Sequence, residues 1–303
     1  MALPVNAVKT YYSGDTEAEG VYSLQRFKYA VDEEGVALAT WCLPARLNPI
    51  TRGTNWELFL ILEHASRDPA VKAFVLTGEG RAFSAGMSPL PDDDPLPDEE
   101  VMQGYLKREK AFRGETNPSD GALKGIVLAF LRFPKFLICA VNGLAVGGGL
   151  NIALLLTDHA IVARSARFRY PFTELGLTAE IGSSFLLPER IGLARAKELL
   201  MLGDWFSAED AYRLGLCNSV VDDAEVLPTA MALAKRVAGM NQTSLRLAKA
   251  LIHRPVLERL EAQLDAENAT IAEAIASPET KASMKAFAAR FKRQKEGAPK
   301  AKL

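Results

Sequence analysis

FLICAVNGLAVGGGLNIALLLTD, residues 136–158, is the stretch on which the fold turns. From Phe136 to Leu156 only Asn142 and Asn151 are strongly polar, and the run is long enough for a membrane span. Its centre argues otherwise, because Gly143, Gly147, Gly148 and Gly149 crowd it and Asn142-Gly143 is a turn signal. A buried strand over 135–141, a tight loop and a buried helix from about Gly148 to Thr157 account for it better.

Working outward, strand and helix alternate, which is the signature of a layered α/β fold. Upstream, Phe27–Ala30 and Val36–Trp41 flank the turn-like Asp32-Glu33-Glu34-Gly35 and predict a β-hairpin. Pro44–Pro49 reads as a loop. Apolar residues recur at Trp56, Phe59, Leu60 and Leu62, which predicts an amphipathic helix over 54–65, capped by Thr54 and stopped at Asp68-Pro69. Val71–Thr77 is a short apolar run, as in a strand buried on both faces. Residues 88–121 interrupt the pattern with prolines, acidic clusters and a helical piece near Val101–Phe112, and predict a surface insertion: a lid, a binding loop or a solvated charge run. A helix over 123–133 and strands over 160–163 and 167–170 complete the pattern, and no internal repeat is evident. Beyond Asp222 the chain is almost wholly helical to Phe291. The predicted organisation is an N-terminal arm (1–24) that looks loose, an α/β core (25–225), a helical region (226–292) and a basic tail (293–303).

The 303 residues carry 36 Lys and Arg against 37 Asp and Glu, a formal charge of −1, with 49% hydrophobic and 24% charged residues. This composition is that of a soluble globular chain of one large or two ordinary domains. It lacks the basic footprint that nucleic-acid binding requires. Cys42, Cys139 and Cys217 are widely spaced and set among apolar residues, so neither a disulfide framework nor a Cys-x-x-Cys metal site is available. The N-terminus lacks a charged region followed by an apolar run, so no secretory signal is read. His64, His159 and His253 form no triad and no metal-ligand spacing, and are read as structural.

Two glycine-bearing loops carry the chemistry. Arg81-Ala82-Phe83-Ser84-Ala85-Gly86-Met87 follows the apolar strand, and Asn142-Gly143-Leu144-Ala145-Val146-Gly147-Gly148-Gly149 joins a strand to a helix. Amides at such a turn bind an anion or a developing oxyanion. Neither loop has the spacing of a dinucleotide or P-loop motif.

Taken in order, Phe83-Ser84-Ala85-Gly86, Ala140-Val141-Asn142-Gly143-x-Ala145-x-Gly147-Gly148-Gly149 and Thr157-Asp158 resemble the crotonase (enoyl-CoA hydratase/isomerase) superfamily over about 27–224. The resemblance implies a spiral of ββα units with a helical C-terminal trimerisation region, assembling as a homotrimer or a dimer of trimers. It also implies an oxyanion hole, made by the amides of Met87 and Gly148, for the carbonyl of an acyl-CoA thioester. It places Arg46, Ala85, Gly86, Gly147, Asn151, Phe172 and Glu174 around that substrate, with no metal and no cofactor other than the CoA of the substrate.

The departures are informative. Hydratases of this family use two glutamates on a water, and here those positions hold Asn151 and Phe172, so ordinary hydration is expected to be lost. Ser88-Pro89 also replaces the acid that many relatives carry after the first loop. The stretch from Phe168 to Ser184 resembles the peroxisomal Δ3,Δ2-enoyl-CoA isomerases, in which a Pro-Phe-x-x-Leu-Gly element precedes a single catalytic Glu, here Glu180. Glu180 is then expected to move a proton from C2 to C4 of a 3-enoyl-CoA, unless it is merely a carboxylate near a helix N-terminus. Dienoyl-CoA isomerases need further acids at Asn151 and Phe172 and match less well. Asn151 is either a core amide or a group that orients water, and Glu174 is either a surface charge or a second pocket residue. Other readings stay open: a specialised hydratase or dehydratase of the same family, and a non-catalytic acyl-CoA binder.

Leu245, Leu247, Leu251, Ile252, Val256, Leu257 and Leu260 fall at helical spacing and are expected to cover the chain's own core or a neighbouring subunit. The basic end meets either CoA phosphates or solvent. Ala301-Lys302-Leu303 resembles the Ser-Lys-Leu peroxisomal address, which implies recognition by the import receptor and a peroxisomal location.

Overall fold

A computed structural model of the chain describes residues 6–10, 20–88 and 121–297. The helical piece near 101–112, most of the insertion and the C-terminal tripeptide lie outside these residues. The arm is not loose throughout: β1 (Ala7–Thr10) and β2 (Gly20–Ser23) pair antiparallel. Buried Ala7 and Val8 hold it to the body, and Asn6 donates to Leu24 O at 2.9 Å and accepts from Tyr29 N at 2.8 Å. The hairpin of β3 (Phe27–Val31) and β4 (Val36–Trp41) forms as the turn predicts, with Asp32 Oδ1 accepting the amides of Glu34 and Val36.

After a short 3-10 turn at Pro44–Arg46, α1 spans Arg52–Arg67. Its cap is Thr51 rather than Thr54. Thr54 stands three residues on, and the two threonines each accept the other's backbone amide, at 3.1 and 2.7 Å. Within α1 the fully buried Glu57 accepts the amides of Gln25, Arg26 and Phe27 and the Arg26 guanidinium, which fastens the start of β3 to the helix.

Then the chain repeats one unit three times. β5 (Ala73–Gly78) and β6 (Ala82–Ser84) precede α2 (Gly121–Leu131); β7 (Phe136–Val141) and β8 (Leu144–Val146) precede α3 (Gly148–Leu154); β9 (His159–Ala163) and β10 (Arg167–Arg169) precede α4 (Ser183–Ile191). Each first strand joins one sheet and each second strand another. The six-stranded sheet runs β12-β9-β7-β5-β4-β3, with β12 at Ser219–Val221, and is parallel except at the β3–β4 hairpin. The four-stranded sheet runs β11-β10-β8-β6, with β11 at Phe206–Ser207, and is parallel except at the β10–β11 edge. The glycine-rich stretch therefore contains a strand, β8, and is not one continuous strand-to-helix turn.

The chain continues through α5 (Leu193–Lys197), a π turn at Glu198–Leu202 and α6 (Ala208–Arg213). α7 (Val226–Ala238) packs across β4, β5, β7 and β9, and α8 (Gln242–Ala276) and α9 (Pro278–Gly297) follow. The chain's own core takes up only some of the apolar residues of α8. Leu260 and Leu264 are buried, with Leu245, Val256 and Leu257 packed on the core, whereas Leu247, Leu251 and Ile252 are exposed. No described helix is long and apolar enough to cross a membrane.

Candidate active site

The first loop is built by a turn that precedes it in the chain. Leu47 and Asn48 both take left-handed backbone (φ +59° and +51°), and the buried Asn48 side chain accepts Leu43 N and donates to Glu79 O and Ala82 O. This fixes the edge on which the loop lies: Ala85 N donates to Leu47 O, Ile50 N to Gly86 O at 2.8 Å, and Ser88 N to Ile50 O at 2.9 Å. In such a parallel bridge the residue opposite Ile50, Met87, turns its own N–H away from Ile50. Gly86 is at φ +80°, and a Cβ there would stand 2.5 Å from Val146 O and 3.7 Å from Gly148 N, so only glycine lets the two loops meet.

In the second loop Gly147 (φ +53°) caps α3 and donates to Arg169 O at 2.9 Å. Gly148 is the first helical residue, so its amide belongs to the first turn and has no partner within the helix. A Cβ on Gly148 would lie 2.6 Å from Ile181 Cδ1, 3.0 Å from Ile50 Cδ1 and 3.4 Å from Glu180 Oε1. The Glu180 carboxylate thus stands against the backbone of Gly148, within an apolar lining.

A strained turn aims that carboxylate. Ile181, a β-branched residue, sits at φ +55°, and Gly182 follows at +76°. The Glu180 carbonyl accepts three donors: Asn151 Nδ2 at 2.8 Å, Ser183 N at 3.1 Å and Ser183 Oγ at 2.8 Å. Glu180 is only 7% exposed, and no described donor reaches its carboxylate. Burial first, and the negative charge of Glu267 second, raise its pKa to about 7. Glu180 precedes the cap residue Gly182, so it is not a first-turn carboxylate of α4.

Asn151 lies on α3, fully buried, and its bond to Glu180 O sets which way its amide points. Its Oδ1 is left without a partner among the described residues. Phe172 is buried, stacks on Tyr170 and passes 3.8 Å from the Cβ position of Gly147, as a wall residue would. Glu174 is engaged with Arg169 Nη2 at 2.5 Å and is about a third exposed, an ion-pair partner at a half-buried position. Arg46 is half-buried in the 3-10 turn ahead of the first loop. His64 packs edge-on to Tyr29 and His253 Nδ1 meets Leu131 O at 2.7 Å.

Sequence reasoning missed Glu267. It lies in α8 on the stripe of Leu260 and Leu264, and an acid within an apolar stripe was the available signal.

A buried carboxylate that meets no described donor and stands against the backbone of Gly148, with the Met87 amide turned away from Ile50 on the adjoining loop, suits the removal of a proton next to a carbonyl. Residues 32–297 match a family model described as enoyl-CoA hydratase/isomerase. The chain belongs to the enoyl-CoA hydratase/isomerase family. It is 36% identical over 235 residues, 78% of this chain and 85% of the relative, to the 1,2-epoxyphenylacetyl-CoA isomerase of Escherichia coli strain K12. It is 31% identical over 258 residues, 84% of this chain and 92% of the relative, to the crotonyl-CoA hydratase of Syntrophomonas wolfei. Among solved structures, an enoyl-CoA hydratase/isomerase from Pseudoalteromonas atlantica T6c superposes with a TM-score of 0.74 at 28% identity, covering 88% of this chain and 98% of the other. The crotonase fold and an acyl-CoA substrate for the hydratase/isomerase family follow.

Proposed function

We propose that the chain is a Δ3,Δ2-enoyl-CoA isomerase with a single acid/base, Glu180. The observation that carries this is the Glu180 carboxylate, buried against Gly148 with a pKa of about 7, while the neighbouring positions 151 and 172 hold an amide and a phenyl ring. The amides of Met87 and Gly148 hold the thioester oxygen and stabilise the charge that develops on it. Glu180 takes the proton from C2, the double bond moves from C3–C4 to C2–C3 through the dienolate, and Glu180 returns the proton at C4. Ala85, Gly86, Gly147 and Phe172 line the acyl path, Asn151 holds the Glu180 backbone, and Arg46 stands towards CoA. No metal or redox group takes part.

A second substrate comes from the Escherichia coli relative, whose name specifies isomerisation of 1,2-epoxyphenylacetyl-CoA. The same hole and base serve it, so it belongs in the same assay. Assembly as a trimer is part of the proposal, through apolar residues such as Leu251 (71% exposed) and Ile252 (69% exposed), and a solution mass of three chains or six tests it. The peroxisomal address stands on Ala301-Lys302-Leu303 alone, the relatives named above being bacterial; import of a tagged chain with and without the tripeptide tests it.

The test of the reaction is conversion of 3-trans-hexenoyl-CoA against hydration of 2-trans-hexenoyl-CoA, by wild type and by Glu180→Gln. Fast isomerisation, negligible hydration and a loss of about 10²- to 10⁴-fold in the variant are expected. Predominant hydration would mark a hydratase instead. Tight acyl-CoA binding without turnover, indifferent to Glu180→Gln, would mark a binder.

A further inference from the structure

The turn that carries Glu180 is held from the C-terminal helices. Glu267 of α8 is 4% exposed; its Oε2 accepts Gly182 N at 2.8 Å, and its Oε1 accepts Ser184 N at 2.9 Å and Ser184 Oγ at 2.5 Å. Gln263, one turn earlier, donates to the same Ser184 Oγ at 3.0 Å. A second attachment lies upstream, where Thr280 of α9 donates to Gly176 O at 2.7 Å and a Cβ on Gly176 would fall 2.9 Å from Thr280 Cα. The segment from Gly176 to Ser184 is therefore fastened at both ends by residues about 80 to 105 positions away in the chain.

This fastening answers a specific need. Left-handed backbone at a β-branched residue such as Ile181 is strained and persists only where its surroundings over-determine it. Gly182, the cap residue of α4, supplies no side-chain bond of its own. A serine or asparagine cap would have served a helix end at lower cost than a buried carboxylate placed beside another one. Among the described residues Glu267 is the charged group that acts on Glu180, and the donors of Gly182 and Ser184 surround Glu267 in turn.

We propose that Glu267 is a positioning residue for Glu180: its grip on Gly182 and Ser184 holds the Ile181 turn so that the Glu180 carboxylate stays against Gly148. Thr280 steadies the other end. This rests on Glu180 being the acid/base.

The test uses the full chain, with kcat, KM and the pH profile of kcat/KM on 3-trans-hexenoyl-CoA, alongside thermal unfolding. Glu267→Gln is expected to lower kcat at least about tenfold with little change in KM, and to move the Glu180 midpoint down by about half a unit to one unit. Ser184→Ala, which keeps both carboxylates, is expected to lower kcat about threefold with the midpoint in place. A Glu267→Gln enzyme with wild-type kcat and midpoint, or one whose loss follows only its unfolding, overturns the proposal. If Glu267→Gln does not fold, an unchanged kcat in Ser184→Ala overturns it. Difference infrared spectroscopy of the Glu180 carboxylate band, wild type minus Glu180→Gln, reads the same midpoint without turnover. A chain inactive on 3-enoyl-CoA then defeats the assigned reaction, while the spectral shift still decides the role of Glu267.

Discussion

Glu57 and Glu180 are both buried glutamates, yet the chain treats them in opposite ways. Glu57, at the heart of α1, accepts three backbone amides and the guanidinium of Arg26 at 2.9 Å; burial raises its pKa, and the amides of Gln25 and Arg26 and the Arg26 guanidinium work against that push. Among the described residues Glu180 receives no donor on its carboxylate, and the charged group that acts on it, Glu267, is repulsive. A structural carboxylate is surrounded by donors that offset its burial, whereas a carboxylate for proton transfer is left without them while its backbone is tied down. The three donors on the Glu180 carbonyl make that division visible within one residue.

The contrast can be broken most severely at Glu57. Glu57→Ala removes the carboxylate that the buried Arg26 guanidinium and three amides share, and is expected to cost about 3–5 kcal/mol in denaturant unfolding; a loss below about 1 kcal/mol would mean that the pair is not the fastening described. Glu180→Gln has the opposite sign. The folded pKa, about 7, exceeds the ordinary 4.5, so the native state holds the extra proton and loses stability as pH rises between these values. Removing the carboxylate is expected to stabilise the chain by up to about 3 kcal/mol at pH 8, with the gain fading towards pH 4.5. A melting temperature for Glu180→Gln at or below that of wild type at pH 8 contradicts this. The smallest effect is at Asn151: Asn151→Ala removes one of the three bonds on Glu180 O and is expected to lower kcat about five- to tenfold with KM unchanged. A larger change in KM than in kcat would move Asn151 into substrate binding.

Much of this was legible in the sequence, for identifiable reasons. β7 is a run of six apolar residues, β5 opens on four and α1 has a clear helical period, so each announces itself. β10 is readable over 167–170, but β6 and β8 have three residues each, too few to show any period, so the ββα repeat is implied by the family resemblance and not by the residues' own periodicity. Thr54 looked like the cap because the box it forms with Thr51 is symmetric, and only the hydrogen bonds tell which residue stands outside the helix. Within the site, Glu180 and the two glycine loops were readable from motifs, and the burial of Glu180 was not. Glu267 lies 87 residues beyond Glu180, and no local pattern reports contacts across such a distance.

The central claim is that one carboxylate, poised near neutrality by burial, moves the proton. Its most direct test is the pH dependence of kcat/KM for 3-trans-hexenoyl-CoA in wild type. The account predicts a rise with a midpoint near 7 that disappears in Glu180→Gln; a midpoint near the ordinary 4.5, or a rise that survives the substitution, would contradict it.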